Sequence, residues 1–302
     1  MTVIADESFV RGGLRRYSPL ESGARGERAP SSPFGDSVAS FPLVPLVLHM
    51  KIRGERECKE CGTRWSYYET GSIDCPGCGS LHSVGVDERT EHTDLQVAFD
   101  LTPVRNDVDD ASTSELAERA RERCREYVRR RGFVNAGNLQ TLDDTYLAAM
   151  ELLHVADVVA RVIDPERDDR EELYFLSLLR DADTGERPPA TDVPVSLASA
   201  RGLAYANAVR EYRRDLRTWI EERDRELTTA ERAALETLGE HVKRLRMLDG
   251  DVDPEIAERL VEATRNLANG LRGDEIAFTR AQEGLENLEF DGGEAGGRFG
   301  GD

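Results

Sequence analysis

The sequence predicts a mostly α-helical protein with one small β module near its front. Three observations carry that expectation. Two Cys-x-x-Cys pairs, Cys58 with Cys61 and Cys75 with Cys78, are separated by thirteen residues within strand-like sequence. From Ser112 onward, apolar residues recur at helical spacing. Cap signals such as Ser112-x-x-Glu115 and Thr228-x-x-Glu231 open successive helical segments.

Composition bounds the rest. The chain has 302 residues, 39% apolar and 33% charged, with a net charge of −19. Lys51, Lys59 and Lys243 are the only lysines, so arginine supplies nearly all the positive charge. An acidic, lysine-poor surface is what a cytoplasm at molar salt favours, because acidic groups hold water while screening removes their repulsion. The expectation is a cytoplasmic protein of a halophile. At such salt, phosphate binding by basic patches is weak. A nucleic-acid role would then rest on shape, hydrogen bonds or stacking. No run of 18 apolar residues is present, so no membrane partner is expected.

Residues 1–49 carry five arginines and five acids and lack periodicity. They are expected to be either disordered or a misassigned extension upstream of a true start at Met50. Residues 50–92 form the cysteine module, with strand character over 51–57 and 63–68 and a turn at Glu69-Thr70-Gly71. Residues 93–111 read as an extended linker.

The helical region is expected over 112–290. Ser112 opens a helix with the stripe Leu116, Ala120, Cys124, Tyr127 and Val128, which Gly132 ends. A second begins near Thr141-x-x-Asp144, carries Leu147, Met150, His154 and Val158, and stops at Asp164-Pro165. A shorter one covers 170–181. Ser196 caps a long helix through Leu203, Val209, Leu216, Trp219 and Ile220. Thr228 opens the next, with Leu235, Leu238, Val242 and Leu245 on one face. Asp253-Pro254 is an N-cap followed by proline at the first helical position, starting a helix through Leu260, Thr264 and Leu267. A final helix covers 276–288. The Gly-rich acidic tail 291–302 is expected to be disordered. The stripes are core first; self-association through them is the alternative.

Each CxxC pair closes a tight turn that presents two thiolates, and two such turns make a tetrahedral S4 site. Gly62 and Gly79 follow the second cysteine of each pair and allow a left-handed backbone there. Cys58, Cys61, Cys75 and Cys78 are therefore the expected ligands of one structural Zn²⁺. Iron accepts the same tetrahedron, as in rubredoxin knuckles. Four protein ligands leave no open position for catalysis, and the metal contributes folding free energy. Such a staple is needed, since about 40 residues cannot bury a sufficient core alone.

Over residues 50–92, the CxxCGxxW–hairpin–CPxCG layout resembles the zinc ribbon of transcription factor B-type (TFIIB-type) proteins. The MKIRGERECKECGTRWSYY opening followed by an acidic helical region resembles zinc-ribbon proteins of halophilic archaea. The resemblance implies zinc and a ribbon fold; it does not extend to the cyclin-like repeats of the transcription factor. The expected fold is thus a rubredoxin-like or TFIIB-type zinc ribbon followed by an antiparallel helical bundle or a long helical hairpin.

Trp65, Tyr67 and Tyr68 lie between the knuckles. As a strand, the segment places 65 and 67 on one side and 68 on the other. Trp65 then roofs the metal and Tyr67 fills the hairpin core. Tyr68 is left exposed and, with Arg53 and Arg64, forms a candidate partner surface. Glu151-x-x-His154 is a ligand pair of the di-iron type, but no second such pair exists. Cys124 is a buried thiol on its helix stripe. Nucleotide-loop and hydrolase motifs are missing. The expectation is a non-enzymatic protein that binds a macromolecule through the ribbon. A transcription- or nucleic-acid-associated role comes first, a protein–protein adaptor second, and a rubrerythrin-like oxidoreductase last.

Overall fold

The computed structural model describes residues 50–161, 168–223 and 225–288, all within one compact unit, Pro45–Asp302. The expected tails at 1–49 and 291–302 and the Asp164-Pro165 stop lie outside the described residues. The chain is mostly helical, with a few short antiparallel strands.

The cysteine segment holds two small sheets. Strand β1 (Met50–Ile52) pairs antiparallel with β5 (Thr90–His92), with Ile52 opposite Thr90. Strand β2 (Glu55–Cys58) lies between β3 (Arg64–Ser66) and β4 (Ser83–Gly85). The expected 51–57 strand is broken at Gly54, because the Tyr68 ring packs where a Cβ would sit. The expected 63–68 strand also ends early. Tyr67–Thr70 turns into a short helix, α1, whose Tyr67 N–H donates to Gly54 O at 2.7 Å.

Residues 93–111, expected as an extended linker, are packed. Thr93 N–H donates to Val134 O at 2.9 Å, and Leu101 and Val104 are buried around a short helix, α2 (Thr102–Arg105). Val134 belongs to a hairpin the periodicity did not suggest, β6 (Val134–Asn135) with β7 (Asn138–Leu139). Ala136 (φ 50°) and Gly137 (φ 73°) turn it, the positive pair of a type I′ turn.

Helix α3 (Thr113–Arg130) opens on the expected capping box, Ser112 with Glu115. Its C-cap is Arg131 in extended conformation. Gly132 serves a close approach instead, since a Cβ there would collide with the Thr93 backbone. Helix α4 (Asp144–Val159) is capped by Asp143, whose carboxylate accepts from Tyr146 N–H at 2.7 Å, in place of the expected Thr141. Helix α5 spans Asp169–Asp181. Helix α6 (Ala198–Glu222) has no side-chain cap from Ser196; a 3₁₀ turn over Val195–Leu197 leads into it instead. Leu197 N–H already bonds to Pro194 O at 2.9 Å, which supplies locally what a cap would. Helices α7 (Thr229–Met247) and α8 (Pro254–Leu271) start on the expected Thr228–Glu231 box and Asp253-Pro254 cap. Helix α9 (Glu275–Glu286) is capped by Asp274.

Helix α4 is central. It packs on α3, α5 and α6, and α6 packs in turn on α7 and α8. One core gathers apolar side chains of α4, α6, α7, α8 and α9, and a second those of α2, α3, α4 and α5. Because α4 is covered on opposite sides, its buried set runs from Tyr146 to Val159 and exceeds a single stripe. No described helix is long and apolar enough to cross a membrane.

Candidate metal centre

Two turns of the same construction build the site. In the first, Gly62 N–H donates to Cys58 O (3.1 Å) and Cys58 N–H to Thr63 O (2.9 Å). In the second, Gly79 N–H donates to Cys75 O (2.8 Å) and Cys75 N–H to Ser80 O (3.0 Å). Gly62 and Gly79 adopt φ of 73° and 71°, the left-handed backbone that glycine takes without strain. The turns direct amides at sulfur: Glu60 N–H lies 3.4 Å from Cys58 Sγ.

All four Sγ atoms of Cys58, Cys61, Cys75 and Cys78 lie within 4.8 Å of one another. Cys58 and Cys78 are 3.6 Å apart, and Cys61 and Cys75 are 3.5 Å apart. A tetrahedron with metal–sulfur bonds of about 2.3 Å has edges of about 3.8 Å, so the cluster is of the size to take one metal ion. The thiols are tuned unequally. The Thr63 hydroxyl and amide draw Cys61 down to about 6. A backbone bond at Ser80 favours the Cys78 thiolate, but crowding by Cys61 and Cys58 outweighs it and raises Cys78 to about 12. A bound cation would remove that conflict, holding all four as thiolates with release of their protons.

Trp65 closes the buried side. It packs with Cys58 and Cys75, is 7% exposed, and donates from Nε1 to Ser72 O at 3.1 Å. Cys61 and Cys78 face outward. His82 is exposed and paired with Glu60 at 3.0 Å, away from the ligand set.

The residues of the candidate partner surface are placed differently from one another. Arg53 and Arg64 are exposed, Arg53 bonded to Asp87 O at 2.7 Å and Arg64 paired with Glu57 at 2.7 Å. Tyr68 turns inward, because α1 replaces the strand that would have exposed it. Its ring lies 4.9 Å from that of His92, and its hydroxyl bonds with Thr90 at 2.6 Å. Apolar side chains are exposed on this module as well: Ile73, Leu81, Val84 and Val86.

Glu151 and His154 are held by different partners. Glu151 is fully buried, accepting from the Tyr174 hydroxyl and, at 3.0 Å, from the Tyr205 hydroxyl, with Arg201 Nη1 3.6 Å away. His154 contacts Asn207 at 3.2 Å. Among the described residues, the four cysteines are the grouping of His, Cys, Asp or Glu that could hold a metal. The buried ion pair of Glu151 with Arg201, which also meets Glu258, was not legible from periodicity, since both residues sit where a helical stripe calls for apolar side chains. Cys124 is wholly buried, and burial pushes its thiol up.

A second feature that periodicity does not reveal ties the segment that follows the module to the helices. Asp215 on α6 is fully buried and accepts from the Thr93 hydroxyl (2.7 Å) and Phe133 N–H (2.8 Å). Arg131 pairs with Asp94 (2.5 Å) and Asp143 (3.0 Å).

Residues 50–285 match a family described as a family of unknown function, DUF7117. No curated protein and no solved structure matches the chain.

Proposed function

We propose that this chain, which belongs to the DUF7117 family, is a non-enzymatic zinc-ribbon protein whose metal holds a docking platform for a macromolecule. The observation that carries the reading is the closed set of four cysteines, with sulfurs within 4.8 Å of one another. Such a set fills a tetrahedral shell and leaves no position for substrate or activated water. Zinc is the metal proposed, because a closed shell of four cysteines from two CxxC turns is the common form of its structural sites. Around it, β2, β3 and β4 form the ribbon, and the helices form a bundle behind it.

The partner proposed is a protein surface. Ile73, Leu81, Val84 and Val86 are exposed on the module, while Trp65 and Tyr68, which would stack on bases, are turned inward. The nucleic-acid reading rests on the resemblance to TFIIB-type ribbons and on the exposed Arg53 and Arg64. A rubrerythrin-like oxidoreductase is disfavoured by the capture of Glu151 between Tyr174 and Tyr205.

Elemental analysis tests the metal: one zinc per chain and no visible colour is expected, whereas two or more irons sink the reading. Capture from lysate in molar KCl, with and without nuclease, tests the partner. A protein retained after nuclease treatment and lost in a Leu81→Asp, Val84→Asp variant is expected. Retention of nucleic acid alone overturns the protein-surface assignment.

A further inference from the structure

An open cleft of about 600 Å³ lies away from the cysteine site, where the end of α6, the β6–β7 hairpin and the α8–α9 turn converge. Its wall carries Arg223, Arg225 and Arg272, with Asn138, Trp219 and Gly273 among the other lining residues. No acidic side chain is among the described lining residues, although the chain as a whole carries −19. Three guanidinium groups at one opening of so acidic a protein call for an explanation in terms of what they face.

Two of the three have no carboxylate partner among the described residues. The Arg223 guanidinium stacks over the Trp219 ring, 4.5 Å from its centroid, and its side chain is exposed. Arg272 is held by neutral oxygens: the carbonyls of Leu139 and Ala268, both at 3.3 Å, and Asn269 Oδ1 at 2.9 Å. Those bonds orient it without neutralising it. Arg225 is different, being paired with Glu231 and bonded to Leu271 O at 2.5 Å. Asp224, between Arg223 and Arg225 in sequence, lies outside the described residues.

The floor supplies an independent observation. Trp219 is 4% exposed, and its Nε1–H is buried with no acceptor among the described residues. A buried donor without an acceptor is costly and uncommon in a native fold. The Arg223 guanidinium lies over the ring of this same indole.

From these features we propose that the cleft binds a small phosphorylated molecule, with Arg223 and Arg272 taking the phosphoryl oxygens. Guanidinium forks match phosphoryl oxygens two at a time. Two unpaired cations favour a ligand of at least two negative charges over a lone carboxylate. The volume lies in the range of small-molecule sites, roughly 300–1,000 Å³.

The test is calorimetry on the full chain with inorganic pyrophosphate, ATP and an eight-residue thymidine oligonucleotide as probes. Circular dichroism in the same buffer confirms the fold of each variant. Pyrophosphate or ATP is expected to bind, with Arg223→Ala weakening it at least tenfold and Arg223→Glu abolishing it. Arg223 is exposed and has no carboxylate partner among the described residues, so neither change threatens folding. Trp219 and Trp65 are the only tryptophans, and the ligand-induced change in fluorescence should vanish in Trp219→Phe. Equal affinity for pyrophosphate and ATP assigns recognition to the phosphates alone, and tighter ATP binding extends it to the nucleoside. The proposal is overturned if neither probe binds, if Arg223→Ala leaves affinity unchanged, if the fluorescence change survives in Trp219→Phe, or if the oligonucleotide outbinds both small probes.

Discussion

His154 shows how one position on a helix face acquires a chemistry its neighbours decide. Burial holds its imidazole down at about 4, so the folded protein keeps it neutral where the unfolded chain protonates it. Between about pH 6.5 and 4 the unfolded state binds the extra proton, and stability must fall as pH falls through that window. The loss reaches about 3 kcal/mol at most. His154→Gln should flatten this part of the pH–stability curve in thermal melts, and an unchanged curve rejects the assignment. Arg201 is the opposite case, a cation at 1% exposure beside the fully buried Glu151. Burial pushes the Glu151 carboxyl up, and Arg201 with the two tyrosine hydroxyls pulls it back. Removing one partner of such a pair typically costs about 3–5 kcal/mol, so Arg201→Ala should show that loss in urea unfolding at neutral pH. Without Arg201 the Glu151 pKa rises further, the folded state binds the proton more tightly, and the deficit should shrink toward pH 5. A loss below about 1 kcal/mol would falsify the view that this pair is coupled.

The elements are legible where the signal is local. Capping boxes at Ser112 and Thr228 and the Asp253-Pro254 start appear as expected, because a cap needs only residues within one turn. The 63–68 segment departs from the expected strand. Tyr67 and Tyr68 carry strand propensity, yet they pack on Gly54 and His92 as a helical turn; tertiary contact overrides the local preference. The β6–β7 hairpin is hidden because its turn places Ala136, at φ 50°, where Asn or Asp is the usual signal. Close approach is likewise invisible along the chain. A Cβ on Gly202, within α6, would collide with the carbonyl oxygen of Gly250 in the turn between α7 and α8. Local propensity alone makes Gly202→Ala stabilising by about 1 kcal/mol, whereas the clash with backbone should destabilise by about 1–3 kcal/mol. Denaturant midpoints decide the sign, and a gain in stability shows that the two elements can separate at no cost.

At the scale of the whole molecule, the question is how far the cysteine module and the helices depend on one another. The module has few buried apolar groups of its own, chiefly Trp65 beside Cys58 and Cys75, so the metal is its principal staple. The helices hold two extensive cores that contain none of these residues. Cys75→Ala is therefore expected to release the metal and unfold the segment around β2, β3 and β4, with most of the helical circular dichroism retained. Protection from hydrogen exchange should persist at the Thr93 amide, which donates to Val134 O, and at the Phe133 amide, which donates to Asp215 on α6. Loss of most helical signal would instead show that the staple supports the entire unit.

Four cysteines at the right spacing, two glycines behind them and a run of capped amphipathic segments determine the candidate ligand set and the helical character, because these depend on near neighbours in the chain. The tertiary structure alone decided what covers each face. It set Glu151 and Arg201 inside the helical body, turned Tyr68 inward, bound Thr93 to Asp215 and gathered Arg223 and Arg272 at one cleft. Each of those outcomes depends on pairs far apart in sequence, whose burial and charge take their meaning only once the helices have packed.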